Sequence, residues 1–210
     1  MKAGMTRLTP YQVASIRILS AGLVLAPFAR KALLQIPKNK ILLVIISGLL
    51  GSFFPAYLFC VAETKIDSSI AGILNALTPL FVILVGMIFF QLKAGIQKIL
   101  GVIVGFLGLC LLMAPNGHFR TDDLFYAFLV LIATLFYGIN VNLVGRHMQG
   151  IGSLNIASLA FVFLVIPNII ILYIPGYFAL PFSDRSVMLA NLPSFVLGVM
   201  GTSVASILFY

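Results

Sequence analysis

The sequence predicts an all-α polytopic membrane protein, and three observations carry the prediction. Of 210 residues, 61% are hydrophobic and 9% charged, and the mean hydropathy is +1.16, a composition from which water-soluble domains are not built. The apolar residues gather into seven runs close to the about 20 residues that a helix rising about 1.5 Å per residue needs to cross a bilayer core. Nearly all the charge lies between the runs. A transmembrane barrel would alternate over segments of about ten residues, and "ILLVIISGLLG" does not alternate.

In chain order the runs are Tyr11 to Phe28, Ile41 to Ala62, Ser68 to Phe90, Ile99 to Ala114, Leu124 to Val144, Leu154 to Ile174, and Leu192 to the end. The first holds the one cation that falls inside a run, Arg17. The second carries Pro55 with Ser52 and Tyr57, and the third Pro79 with Asn75 and Thr78. Gly101, Gly105 and Gly108 give the fourth a small-residue face suited to helix packing, within the monomer or across a homodimer, before Pro115 and Asn116 stop it. The fifth run holds Tyr137, Asn140 and Asn142. The last run stops at Tyr210 without a polar flank. At the other end Arg17 breaks any signal-peptide core, and no small-residue cleavage site follows. The expectation is an internal fragment of a longer transporter-like protein.

Alternating the loops between the two faces sets seven cations, Arg30, Lys31, Lys38, Lys40, Lys93, Lys98 and Arg146, against Lys2, Arg7, Lys65, Arg120 and Arg185. Cytoplasmic loops carry the excess of Lys and Arg, so the first face is assigned to the inside and the chain begins outside. The net charge of +8 is spread over membrane-flanking loops, where anionic lipid is the expected neighbour; it calls for no nucleic acid.

Cys60 and Cys110 lie within apolar runs and read as small buried hydrophobes. His118 and His147 lack companions at ligand spacing. No metal site, cofactor, phosphate-cradling loop or nucleophile elbow is visible, and no pair of catalytic acids or nucleophile with base stands near either surface. The chain does not read as an enzyme.

The chain echoes itself. "GLLGSFFPAYLFC" from Gly48 overlies "GVMGTSVASILFY" from Gly198 at an offset of 150, and "VASI" from Val13 overlies "IASL" from Ile156 at 143. A later loop seven residues longer accounts for the difference. On this alignment the run at Leu124 to Val144 has no counterpart ahead of Tyr11. Each complete unit therefore holds five helices, and an odd count inserts the second unit upside down relative to the first. The boundary falls between residues 1–115, a first repeat lacking its first helix, and 116–210, an inverted second repeat cut in its third helix.

These segments, with "ASIRILSAGLVLAPF" in the first run, "KILGVIVGFLGLCLLMAP" in the fourth and "FYGINVNLVGRHM" in the fifth, resemble the EamA-type drug/metabolite transporters over nearly the whole chain. The resemblance implies ten helices in two inverted five-helix repeats around a central cavity, of which this chain supplies about seven. It implies a secondary transporter, an exporter, that moves small metabolites such as amino acids across the inner membrane by alternating access. A non-transporting scaffold or receptor is the alternative.

Midplane breaks are where such transporters place substrate groups. Pro79 lacks the N–H that would bond the Asn75 carbonyl. This leaves an acceptor beside a side-chain amide, either for substrate or for Thr78 or a neighbouring helix to satisfy. Tyr57 follows Pro55 and either packs or faces the cavity. Tyr137 and Asn140, three apart, share one helix face and either line the cavity or bond between helices; Asn142 points elsewhere. A charge at a helix centre costs about 2.5–3.5 kcal/mol on insertion scales and is usually paired or functional. Arg17 is read as either an ion pair with Glu63 or a receiver of a substrate carboxylate. The candidate substrate residues are thus Arg17, Tyr57, Asn75, Thr78, Pro79, Tyr137 and Asn140. Coupling to a proton or ion has no carboxylate in mid-span to rest on.

Overall fold

The computed structural model describes residues 8–92, 95–113, 121–174, 177 and 185–204, and every regular element among them is helical. Thr9 opens α1 (Pro10–Gln35) with a capping box: its hydroxyl accepts from the Gln12 N–H, and the Gln12 side chain accepts from the Thr9 N–H. The apolar run ends at Phe28, but the helix continues two turns further. Ala29 to Leu34 are good helix formers, and the helix stops only where Pro37 forbids the preceding residue a helical backbone. Arg30 and Lys31 thereby lie within α1, just ahead of its last turn.

The second span is α2 (Ile41–Gly48), a π-helical turn at Leu49–Phe53 and α3 (Phe54–Ala62). Pro55 explains the wide turn. Its ring would meet the carbonyl of Gly51, and opening the helix to i→i+5 bonding, with the Phe54 N–H on the Leu49 carbonyl, relieves that contact. The third span breaks into α4 (Ser68–Asn75) and α5 (Thr78–Phe90). Then follow α6 (Ile96–Met113), α7 (Thr121–His147), α8 (Ser153–Tyr173) and α9 (Arg185–Gly198), the last running into a second π-helical turn at Val199–Val204.

Five of these segments, 10–35, 38–62, 68–90, 124–147 and 153–173, are long and apolar enough to cross a membrane, and Val187–Ser203 is a shorter apolar helix. The run at Ile99 to Ala114 lies on α6. There Gly101, Gly105 and Gly108 each face open space, so this small-residue face is not used by the described residues. The side chain of Cys110, together with His118, Pro115 and Asn116, lies outside the described residues.

α1 packs along α8, and α7 packs against α3 and α5. Glycines mark the close crossings. A Cβ on Gly22 would lie 2.7 Å from Val165 Cγ2, one on Gly48 3.1 Å from Ala160 Cβ, and one on Gly138 2.8 Å from the Phe81 carbonyl carbon. A Cβ on Gly198 would strike the carbonyl of Arg17 and the hydroxyl of Ser20.

Asn142 sits on the seam between α5 and α7. Its amide donates to the carbonyls of Val82 and Gly138, both at 2.8 Å. Asn142→Leu is therefore expected to destabilise by about 1 kcal/mol, the range of interhelical side-chain hydrogen bonds in membranes, read as a lower melting midpoint in detergent. At the end of α5, Gln91 turns left-handed at φ 52°, and the Arg146 guanidinium donates to the Phe90 carbonyl at 2.6 Å, a cation against a helix C-terminus.

Candidate functional site

The two π-helical turns and α1 meet at one place. A small cavity of about 30 Å³ lies between Arg17 and Ile18 of α1, Gly51 and Ser52 of the first π turn, Tyr137 of α7 and Thr202 of the second π turn. Beside it is a larger cavity of about 210 Å³ that shares Gly51, Ser52 and Phe161 and extends past Asn140 to Val144 and Ser153. A wide turn leaves backbone groups poorly paired and swings adjacent side chains off the regular helical face, which is why π turns recur at functional sites. Here two of them contribute a hydroxyl each.

Arg17 is half-buried and no carboxylate of the described residues pairs with it. The expected ion pair with Glu63 does not form among them; Glu63 lies at the end of α3, where its carboxylate accepts from the Ser68 hydroxyl at 3.3 Å. The geometric reason is the position of Arg17 on the face of α1 that turns toward the cavity and α9, where its carbonyl touches Gly198. Tyr137 lies across the small cavity, its ring centroid 6.3 Å from that of Phe59. Asn140, one turn along α7, lines the larger cavity. Its amide nitrogen closes over Gly51, while its side-chain oxygen is buried with no partner among the described residues. A buried unpaired amide oxygen costs roughly 1–3 kcal/mol, so this position holds an acceptor ready for a donor. The structure thus brings together Arg17, Tyr137 and Asn140 of the residues singled out from the sequence.

It separates the others from them. Asn75 and Pro79 are exposed and line neither cavity. The Asn75 carbonyl, stripped of its helical donor by Pro79, is not left open: the Thr78 hydroxyl donates to it at 2.7 Å and reaches the Asn75 side-chain oxygen at 3.2 Å. Proline here ends one helix and starts the next. Tyr57 is spent on packing. Its hydroxyl donates to Asn168 Oδ1 at 2.6 Å and lies 2.6 Å from the Ser15 hydroxyl; with the phenolic proton committed to Asn168, Ser15 is the donor in the second bond. The Asn168 amide donates in turn to the Leu164 carbonyl at 2.6 Å. Ser15 and Asn168 are fully buried, so this chain of bonds ties α1, α3 and α8 together.

Ser52, noted from the sequence only beside Pro55, and Thr202 and Phe161, not noted there, also line the site. A signal for the first two existed in the internal echo, where "GS" at Gly51 overlies "GT" at Gly201. Among the described residues no three His, Cys, Asp or Glu side chains group as a metal site requires.

Residues 1–114 match the model of the EamA-like transporter family. The uncharacterized transporter YdfC of Bacillus subtilis (strain 168) is 28% identical over 120 residues, which make up 57% of this chain and 39% of that protein. The chain thus aligns with well under half the length of this relative. No solved structure matches it. Because the family model takes in more than half of the sequence, the chain belongs to the EamA-like transporter family.

Proposed function

We propose that the chain forms the core of an inner-membrane secondary transporter that exports a small amphipathic metabolite, such as an amino acid, by rocking two inverted repeats around the paired cavities. The observation that carries this reading is the cavity itself, built where the two π turns face each other across α1. Membership of the EamA-like family supports transport in general.

The contacts at the seam support the inverted repeat. At the offsets of the sequence echo, Arg17 corresponds to Ala160 (17 + 143) and Gly48 to Gly198 (48 + 150). The contact of Gly48 with Ala160 then has the contact of Gly198 with Arg17 as its image. Gly22 corresponds to Val165 (22 + 143), and these two touch, as equivalent residues do beside a two-fold axis. The π turns begin at Leu49 and Val199, again 150 apart. A boundary between repeats at residues 115 and 116 agrees with a family match that ends at residue 114. The larger cavity reaches the junction of α7 and α8, the side that its cations assign to the cytoplasm, as an exporter waiting for cargo requires.

Within this reading the substrate contacts are Arg17, Tyr137 and Asn140 with Ser52 and Thr202, whereas Tyr57 fastens helices and Asn75, Thr78 and Pro79 shape the third span. Counterflow of labelled amino acids and metabolites into proteoliposomes tests it. Saturable uptake is expected, with Tyr137→Phe lowering apparent affinity about threefold to tenfold, the scale of one neutral hydrogen bond, and Asn75→Ala within twofold of wild type. The reverse pattern would move the site to the broken third span. Uptake of nothing in a broad panel would favour the scaffold reading.

A further inference from the structure

We propose that the hydrogen bond from Tyr57 to Asn168 is a one-sided latch: it holds the cavities shut at the end of the helices where α1 begins, and it breaks, with Ser15 taking over the phenolic proton, when they open there. The inference rests on the transporter reading and adds the contact that sets which way the cavities face at rest.

Depth places the three groups at one level. Ser15 is five residues from the start of α1 at Pro10, Tyr57 five from the end of α3 at Ala62, and Asn168 five from the end of α8 at Tyr173. All three therefore lie roughly 8 Å in from the same end. Directly beneath them is the small cavity, whose wall includes Ile18, one turn beyond Ser15, and Ala56, next to Tyr57. Around them Leu8, Val13, Cys60 and Leu172 are buried in one apolar cluster, and the Tyr11 ring lies against Tyr57 at 6.2 Å between centroids. The opposite end is different. There the larger cavity runs out to Val144, near the end of α7, and to Ser153, the first residue of α8. The tie between α1 and α8 at that end is the Asn155 amide donating to the Gln35 side-chain oxygen at 2.7 Å, an exposed bond for which water competes.

The bonds are divided as a latch requires. Ser15 and Tyr57 belong to the first repeat and Asn168 to the second, so the 2.6 Å bond from the Tyr57 hydroxyl to Asn168 Oδ1 is the one that crosses between the halves. Ser15 lies 2.6 Å from the same hydroxyl and stays beside it when the halves part. The phenolic proton then turns to the Ser15 oxygen, and the Asn168 oxygen meets the water that enters. Neither position strands a buried group, so the two differ by about one hydrogen bond and the switch runs in both directions.

The device is not repeated in the second half. At the offsets of the echo, Ser15 corresponds to Ser158 (15 + 143), Tyr57 to Ile207 (57 + 150) and Asn168 to Leu25 (168 − 143). The Ser158 hydroxyl donates to the Asn155 carbonyl of its own helix at 3.2 Å, and Leu25 is buried among apolar side chains. Two inverted halves with equivalent ends would face either way with equal ease. A buried hydrogen bond at one end alone tips the balance toward closure there.

The test reads access to the small cavity from each end. In a Cys60→Ala, Cys110→Ala background, Ala56→Cys places a thiol in the cavity wall beneath the latch. Sealed membrane vesicles of either orientation then offer it 2-sulfonatoethyl methanethiosulfonate from one end at a time. With the latch intact, labelling from the end where α1 begins is expected to be slow. Tyr57→Phe and Asn168→Leu are each expected to speed it about threefold to tenfold, the open population that one neutral hydrogen bond holds back, with no gain from the opposite end. Ser15→Ala keeps the crossing bond and is expected to act less than either. Gln35→Ala breaks only the exposed tie and is expected to stay within about twofold. Should Asn168→Leu fail to fold, Tyr57→Phe, which removes a single oxygen, carries the test alone. Equal acceleration from both ends would mean a fastener whose loss loosens the whole bundle, and would overturn the latch, as would no acceleration in either variant. Counterflow of labelled amino acids and metabolites by the same proteins separates this from the transporter reading. One-sided acceleration without any counterflow overturns that reading and leaves the latch standing; counterflow with labelling indifferent to both variants does the opposite.

Discussion

Valine in place of Gly138 is expected to lower stability by about 3 kcal/mol, near the upper end of ordinary overpacking costs. At this point α7 and α5 touch backbone to backbone: a Cβ on Gly138 would lie 2.8 Å from the Phe81 carbonyl carbon and 3.0 Å from its oxygen. Neither partner has a flexible side chain to move aside, so the helices themselves must separate, and the Asn142 amide that bonds the Val82 carbonyl at 2.8 Å is pulled away with them. The control is on the same helix. Gly145 has nothing within 4 Å of its Cβ position, and Gly145→Val is expected to stay within about 0.5 kcal/mol of wild type. Melting midpoints and the monodisperse fraction in detergent distinguish the two. Equal damage from both would assign the loss to helix propensity and not to the crossing.

Asn168→Leu is expected to cost about 2 kcal/mol even though the new side chain is apolar and close in size. Asn168 accepts the Tyr57 hydroxyl, which is the acceptor for Ser15, and donates to the Leu164 carbonyl. Leucine removes the acceptor of the phenolic proton, which falls back on Ser15, and takes the amide donor from the Leu164 carbonyl. Losses of roughly 1–3 kcal/mol for a stranded buried group are moderated in bilayers, because the separated helices also find partners. Tyr57→Phe strands Ser15 and the Asn168 oxygen to a similar extent. The double variant is expected to cost clearly less than the sum, since once the network is broken at one member little is left to lose at the other. Additive losses would show that the three groups do not act together.

Much of this arrangement is legible in the sequence because a bilayer imposes length and polarity on each span. The spans at Ile41 to Ala62 and Ser68 to Phe90 correspond to helical segments at 38–62 and 68–90, and the shared face of Tyr137 and Asn140 follows from helical spacing alone. What sequence reasoning left out is tertiary. Tyr57 and Asn168 are 111 positions apart, and no local pattern pairs them. Asn142 was set aside by the same wheel that joined Tyr137 to Asn140, but the far side of α7 faces α5 and is as buried as the near side. Pro79 leaves a carbonyl without its helical donor, as any proline does; that Thr78 closes it depends on a hydroxyl one position before the proline, which the sequence did contain. The Arg17 to Glu63 pairing failed because sequence gives depth along a helix but not the direction in which a side chain leaves it.

The π turn at Leu49–Phe53 also acts as a phase shifter. An α-helix advances about 100° per residue, so one extra residue in one turn offsets every later side chain by that angle from where an uninterrupted helix would aim it. Tyr57, four residues beyond the turn, finds Ser15 and Asn168 only in the shifted phase. Loss of a single residue from "LLGSF" would leave the span long enough and apolar enough for the membrane. It would also leave the tyrosine aimed at its partners, because the residue removed is the one the wide turn absorbs, whereas a deletion elsewhere in the span would rotate it about a quarter-circle.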